Sequence, residues 1–282
     1  RRPTRMKMNN FVIRTISGVC FLAVVLGGLL VHPYLFAVLV LLMMVTMLAE
    51  FYRMTMGQKY RLSQALAIAL GCCAFLLMFS TQYFKIDFRW MSLNTILLIL
   101  LMISSLLVKD KADFKLFAFL YTGLLYIGIP LVLSNFVVFD KAAHFDGRLM
   151  LAFFIIIWAS DVGAHCIGML LGKYTKKLFP TISPKKSWAG FWGGLLFALL
   201  AGCILVWTGL WPYPILHALI LAALMHVAGV FGDLFESQWK RVCGVKDSGN
   251  IIPGHGGALD RFDSALFAIP AGVIYLVITG LL

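Results

Sequence analysis

The chain has 282 residues, 61% of them hydrophobic and 13% charged, with a formal net charge of +12 and a mean hydropathy of +0.93. A soluble core of that size cannot bury so much apolar surface, so a water-soluble globular protein is excluded and a polytopic membrane protein is expected. The positive charge sits in short breaks between apolar stretches, with no soluble basic domain to carry it, so nucleic acid is excluded as a partner.

Charged or proline-containing breaks divide the chain into nine apolar stretches near the roughly 20 residues that cross a bilayer. They run over 11–31, 35–52, 62–82, 91–108, 116–138, 149–171, 189–210, 213–232 and 262–282. The first is long and lacks a small-residue cleavage site, which predicts a retained span. The second ends on Glu50 and Arg53, and only Trp211-Pro212-Tyr213-Pro214 divides the seventh from the eighth, so eight spans is the alternative count. The predicted fold class is all-α, with about nine transmembrane helices and a polar site at the cytoplasmic side. Five helices fall in 1–148 and four in 149–282, the two regions forming one structural unit in the membrane.

Nine spans place twenty of the lysines and arginines on one side and only Lys85, Arg89, Lys141 and Arg148 on the other. Positive charge stays on the cytoplasmic side, so the N-terminus is predicted to be cytoplasmic and the C-terminus outside. The six cysteines lie mostly inside apolar spans without zinc-ligand spacing, and read as small buried hydrophobes.

Three segments rise above the apolar background. In the sixth span Asp161, His165, Gly168 and Gly172 share one helical face. Either Asp161 and His165 bond each other or a neighbouring helix while the glycines permit close packing, or they line a polar cavity. The loop 173–188 follows, with five lysines. Lys173, Lys176 and Lys177 suit acidic headgroups, whereas Ser183-Pro184-Lys185-Lys186, confined just before a span, suits an anionic substrate. In the third segment Asp233, Glu236, Ser237 and Lys240 form a polar stripe at the end of the eighth helix. After a glycine-rich loop, Asp260 and Asp263 lie one turn apart at the start of the ninth. One carboxylate there is explained as a helix cap, but the whole set is better explained by Mg²⁺, which takes hard oxygen ligands.

The run from Ser237 to Asp263 resembles the signature of the phosphatidate cytidylyltransferases, or CDP-diacylglycerol synthases. That pattern is S-x-x-K-R, four residues, K-D, then P-x-H-G-G-x-x-D-R-x-D. The matching positions are Ser237, Lys240, Arg241, Lys246, Asp247, Pro253, His255, Gly256, Gly257, Asp260, Arg261 and Asp263. Ser183 to Lys186 resembles the family's S-P-K-K element, and the helix around Asp161 its intramembrane acidic helix, so the resemblance covers roughly 150–282. Trp239, Ala258, Ala189 and His165 depart from the family pattern.

The resemblance implies Mg²⁺-dependent transfer of a cytidylyl group from CTP to phosphatidate, giving CDP-diacylglycerol and pyrophosphate for phospholipid biosynthesis. It implies Asp233, Asp260 and Asp263 as metal ligands, with Glu236 an additional candidate and Asp247 beside them. Lys185, Lys186, Lys240, Arg241, Lys246 and Arg261 would hold phosphates. His255 would contact a phosphate or the departing pyrophosphate, and Gly256 and Gly257 would let backbone approach the nucleotide. Asp161, Ser183 and Ser237 complete the candidate substrate contacts. A second, monovalent cation, membrane lipids and a second copy of the chain are further candidate partners, and a bacterial inner membrane with the site facing the cytoplasm is the expected location. The alternatives are a CTP-dependent lipid kinase, a related lipid cytidylyltransferase and, in a different class, a transporter. A transporter predicts paired broken helices in two related halves, which the sequence lacks.

Overall fold

The computed structural model describes residues 18–20, 22–140, 142–251 and 256–282. Among them eight helical segments are long and apolar enough to cross a bilayer: Pro33–Met56, Arg61–Tyr83, Phe88–Leu107, Lys111–Val138, Arg148–Leu171, Trp188–Trp207, Ile215–Val242 and Leu259–Ile278. Apart from one helix end, they follow eight of the predicted stretches to within a few residues. The remaining stretch, 11–31, lies partly outside the described residues, and within it an apolar helix runs over Gly18–Leu30. The chain is a multi-pass membrane protein.

Local chemistry sets the helix ends. His32 caps the Pro33–Met56 helix, its side chain accepting the Tyr34 N–H at 3.3 Å, and proline opens the first turn, where its missing N–H costs nothing. Gly57, at φ 62°, closes that helix. The segment Lys111–Val138 is interrupted instead: a π-turn at Leu124–Gly128 precedes Pro130, which has no N–H to offer the preceding turn. The largest departure from the predicted spans is Ile215–Val242, which continues ten residues beyond the predicted end at 232. Its polar end is rich in good helix formers and carries the Glu236–Lys240 pair at i, i+4. At 28 residues it is about 42 Å long, more than the roughly 30 Å of hydrocarbon, so its charged end need not lie in lipid.

The described fold adds one small sheet to the helices. Strands β1 (Lys177–Phe179) and β2 (Ser183–Ser187) pair antiparallel, with Lys177 opposite Ser187 and Phe179 opposite Ser183. Their turn is closed by Ile182 N–H donating to Phe179 O at 3.2 Å.

The chain forms two compact units. The first runs to Gly128 and also takes in Cys243–Arg261. Its core includes Phe36, Met44, Met47, Phe51 and Tyr52, all fully buried. Tyr52 donates its hydroxyl to Leu120 O at 2.9 Å and lies against Gly123, where a Cβ would stand 2.5 Å from the ring. The second unit is Ile129–Val242 with Phe262–Leu282. Here Arg148–Leu171 packs on Trp188–Trp207 along a glycine seam. A Cβ at Gly163 would come within 2.5 Å of Phe197, and Gly168 lies against Gly190. Small residues let backbones approach closely where lipid offers no hydrophobic drive between helices.

Candidate active site

In the second unit a carboxylate oxygen from each of Asp233, Glu236 and Asp263 lies within 4.8 Å of the others. Asp233 and Glu236 are one turn apart on the long Ile215–Val242 helix, and Asp263 stands in the second turn of Leu259–Ile278. Gly232 brings them together: a Cβ there would stand 2.5 Å from Asp263 O and 3.2 Å from Phe267 Cβ. Glycine lets the second backbone approach at the residue preceding Asp233.

Three carboxylates this close repel one another. Lys186 Nζ lies 2.6 Å from Asp233 Oδ2, and Lys240 Nζ lies 2.5 Å from the fully buried Glu236 Oε2. Ser237 donates its hydroxyl to Asp233 Oδ1 at 3.3 Å, and Asp263 Oδ1 accepts the Ser264 N–H at 2.7 Å. Among the described residues Asp263 makes no ion pair. Hard oxygen donors, one carboxylate of which has no such partner, fit a divalent cation.

The hairpin explains why Lys186 reaches this cluster. Along β2 Pro184 and Lys185 are exposed while Lys186 is half-buried, and Ser187 then caps the Trp188–Trp207 helix by accepting the Gly190 N–H at 3.2 Å. Arg241 Nε donates to Ile182 O at 3.3 Å, tying the hairpin turn to the end of the long helix. Asp161 is exposed on Arg148–Leu171, within electrostatic reach of Asp233 and Lys186. No hydrogen bond joins it to His165 among the described residues, and the neighbouring glycines serve packing: Gly172 is seated 2.8 Å from Ser187 Oγ, measured from where its Cβ would be.

The rest of the expected site belongs to the first unit. Lys246, Asp247 and Arg261 are exposed, and His255 lies outside the described residues. Gly256 adopts φ 86°, a conformation glycine takes freely, close to both Asp247 and Asp260. Asp260, expected beside Asp263 as a ligand, is absent from the three-carboxylate cluster. Its Oδ2 accepts the Ser248 N–H at 3.0 Å, the Ser248 hydroxyl at 3.0 Å and the Gly257 N–H at 2.9 Å. Glu50, read from sequence only as the end of a span, is buried and receives three donors from this same loop. The one hint in the sequence is a lone carboxylate at the edge of an apolar helix, a place where such groups have a use.

Residues 12–279 match the model of the cytidylyltransferase family. The chain is 34% identical over 258 residues to the phosphatidate cytidylyltransferase of Bacillus subtilis, covering 91% of this chain and 94% of that one. It is 33% identical over 265 residues to that of Staphylococcus saprophyticus, covering 94% and 98%. With that of Staphylococcus haemolyticus it shares 38% over 174 residues, covering 61% and 64%. A match over nearly the whole length, on a chain that gathers three carboxylates at its membrane-helix ends with two lysines beside them, places it in the cytidylyltransferase family.

Proposed function

We propose that the chain is a phosphatidate cytidylyltransferase, working at the cytoplasmic face of a bacterial inner membrane. The observation that carries this reading is the Asp233–Glu236–Asp263 cluster with Lys186 and Lys240 at its side, in a chain of this family. The charge distribution along the sequence supports the cytoplasmic assignment.

A phosphate oxygen of phosphatidate forms a bond to the α-phosphorus of CTP. The bond from that phosphorus to the bridging oxygen breaks, and pyrophosphate leaves with the electron pair. The nucleophile is a phosphate monoester with a second pKa of about 6, so it arrives largely ionised and needs no strong general base. The barrier is the approach of one anion to another, which makes charge neutralisation and alignment the main requirements. Asp233, Glu236 and Asp263 would hold Mg²⁺, which supplies Lewis-acid neutralisation of phosphate charge when bound. Lys186 and Lys240 hold Asp233 and Glu236 in place and add positive charge next to them. The exposed Lys185, Lys246 and Arg261, with Ser183, are suited to phosphate oxygens. Asp260, whose Oδ2 is taken up by Ser248 and Gly257, is assigned to holding the loop.

Purified protein incubated with phosphatidate, Mg²⁺ and CTP labelled at either the α- or the γ-phosphate tests the reading. The α-label should enter lipid as CDP-diacylglycerol and the γ-label should appear in pyrophosphate. A γ-label in lipid would mean a CTP-dependent lipid kinase, and no labelled lipid at all would refute the transferase reading.

A further inference from the structure

We propose that Glu50 is a positioning residue of this enzyme, the buried post to which the signature loop is tied; this rests on the function proposed above, because the role assigned is a role in that reaction. Glu50 lies in the Pro33–Met56 helix, is 2% exposed, and belongs to the same compact unit as residues 243–261. Its Oε1 accepts the Ala258 N–H at 3.1 Å, and its Oε2 accepts the Leu259 N–H at 2.9 Å and the Ser248 hydroxyl at 3.3 Å. These are contacts across 198 to 209 residues of sequence.

A buried carboxylate is costly unless its oxygens are filled with donors, and these three donors come from one loop. Ala258 and Leu259 stand at the beginning of the Leu259–Ile278 helix, where the first N–H groups have no acceptor within the helix. Glu50 therefore caps that helix from a distant segment, with its charge at the positive end of the dipole. The fit is close. A Cβ at Gly257 would stand 2.7 Å from Glu50 Oε2, and one at Gly249 would overlap the same carboxylate.

Asp260 binds the same two stretches from within the loop, through Ser248 and Gly257. Two carboxylates thus hold Ser248 and the stretch 257–259 together, with Lys246 and Asp247 just before the clamp and Arg261 just after it. Displacing the clamp displaces those charged groups without removing any of them. Glu50 acts through the loop and touches no substrate.

The test compares the full chain, purified in detergent, with Glu50→Gln, which keeps the shape but turns one acceptor into a donor. Two readouts are taken: cytidylyl transfer with varied CTP, and amide hydrogen exchange. The clamp predicts a loss of at least about tenfold in kcat/KM, the usual scale for residues that orient others. It also predicts faster exchange confined to Ser248 and 257–259, with the Trp188–Trp207 helix at the parent rate. Glu50→Asp, one methylene shorter, should fall between parent and Glu50→Gln. A purely structural Glu50 would raise exchange throughout and leave turnover per folded molecule unchanged, and that result overturns the proposal, as does parent-like behaviour in both readouts. If Glu50→Gln does not fold, Ser248→Ala decides: removing the hydroxyl shared by the two carboxylates should cost about threefold, the worth of one hydrogen bond, with the same local exchange pattern. Parent-like kinetics and exchange in Ser248→Ala would then refute the clamp. A parent protein that makes no CDP-diacylglycerol would fail the function reading instead, while the exchange comparison still reads the clamp.

Discussion

Replacing Glu236 by glutamine separates a metal-binding carboxylate from one that merely neutralises a lysine. Glu236 is fully buried and its partner Lys240 is only 12% exposed, with 2.5 Å between Nζ and Oε2. Removing one member of such a pair costs about 3–5 kcal/mol, and the amide oxygen still accepts a hydrogen bond returning about 1–1.5 kcal/mol, so a net loss of about 1.5–4 kcal/mol is expected. That is roughly a 10- to 900-fold shift in the unfolding equilibrium. Adding Lys240→Met removes the ammonium of the pair as well, and the double variant should return to within about 1 kcal/mol of the parent, because apolar replacement of a buried pair is commonly neutral. Activity should behave differently. Glu236→Gln should lower Mg²⁺-dependent cytidylyl transfer by at least about a hundredfold, and the double variant should not recover it. Equilibrium unfolding in detergent and a Mg²⁺ titration of turnover provide the two measurements. Recovery of turnover together with stability in the double variant would refute a metal role for Glu236, and a Glu236→Gln protein within about 0.5 kcal/mol of the parent would refute the buried-pair argument.

Three further outcomes follow from the geometry. Gly232→Ala places a Cβ 2.5 Å from Asp263 O, so it should destabilise the protein by about 1–3 kcal/mol and raise the Mg²⁺ concentration for half-maximal turnover; an unchanged Mg²⁺ response would separate the glycine from the site. Lys186→Ala should lower turnover by at least about tenfold while Lys176→Ala changes it little, because only Lys186 is held against Asp233; equal, salt-sensitive losses would favour attraction of both lysines to acidic lipid. Single cysteines at Lys111 and Lys177, in a background lacking the native cysteines, should resist an impermeant thiol reagent outside intact cells while one at Ala142 reacts. All three positions are exposed, so labelling of position 177 from outside would invert the topology.

The spans were legible because composition and length decide them: a run of about 20 apolar residues has no stable alternative to a helix in lipid. The polar stripe Asp233, Glu236, Ser237 and Lys240 was legible from its helical spacing, and the helix does continue through it. The division of labour among the acidic residues was not. Asp260 and Asp263 are three apart in sequence, yet one turns an oxygen to Ser248 and Gly257 while the other joins Asp233 and Glu236, a difference made by tertiary contacts. Nor could spacing connect Glu50 with a loop some two hundred residues later. The β1–β2 hairpin escaped notice because three- and five-residue strands rich in lysine, with Pro184 inside, lack the apolar alternation by which a strand is read.

The central claim is that Asp233, Glu236 and Asp263 hold one divalent ion together. Mn²⁺, which favours the same oxygen donors as Mg²⁺, reports its own binding through the loss of its free-ion electron paramagnetic resonance signal. Titrated into the purified protein in detergent, Mn²⁺ should fill one site per chain, and Asp263→Asn should weaken that site at least about tenfold while the protein stays folded. Parent-like Mn²⁺ affinity in Asp263→Asn would contradict the account.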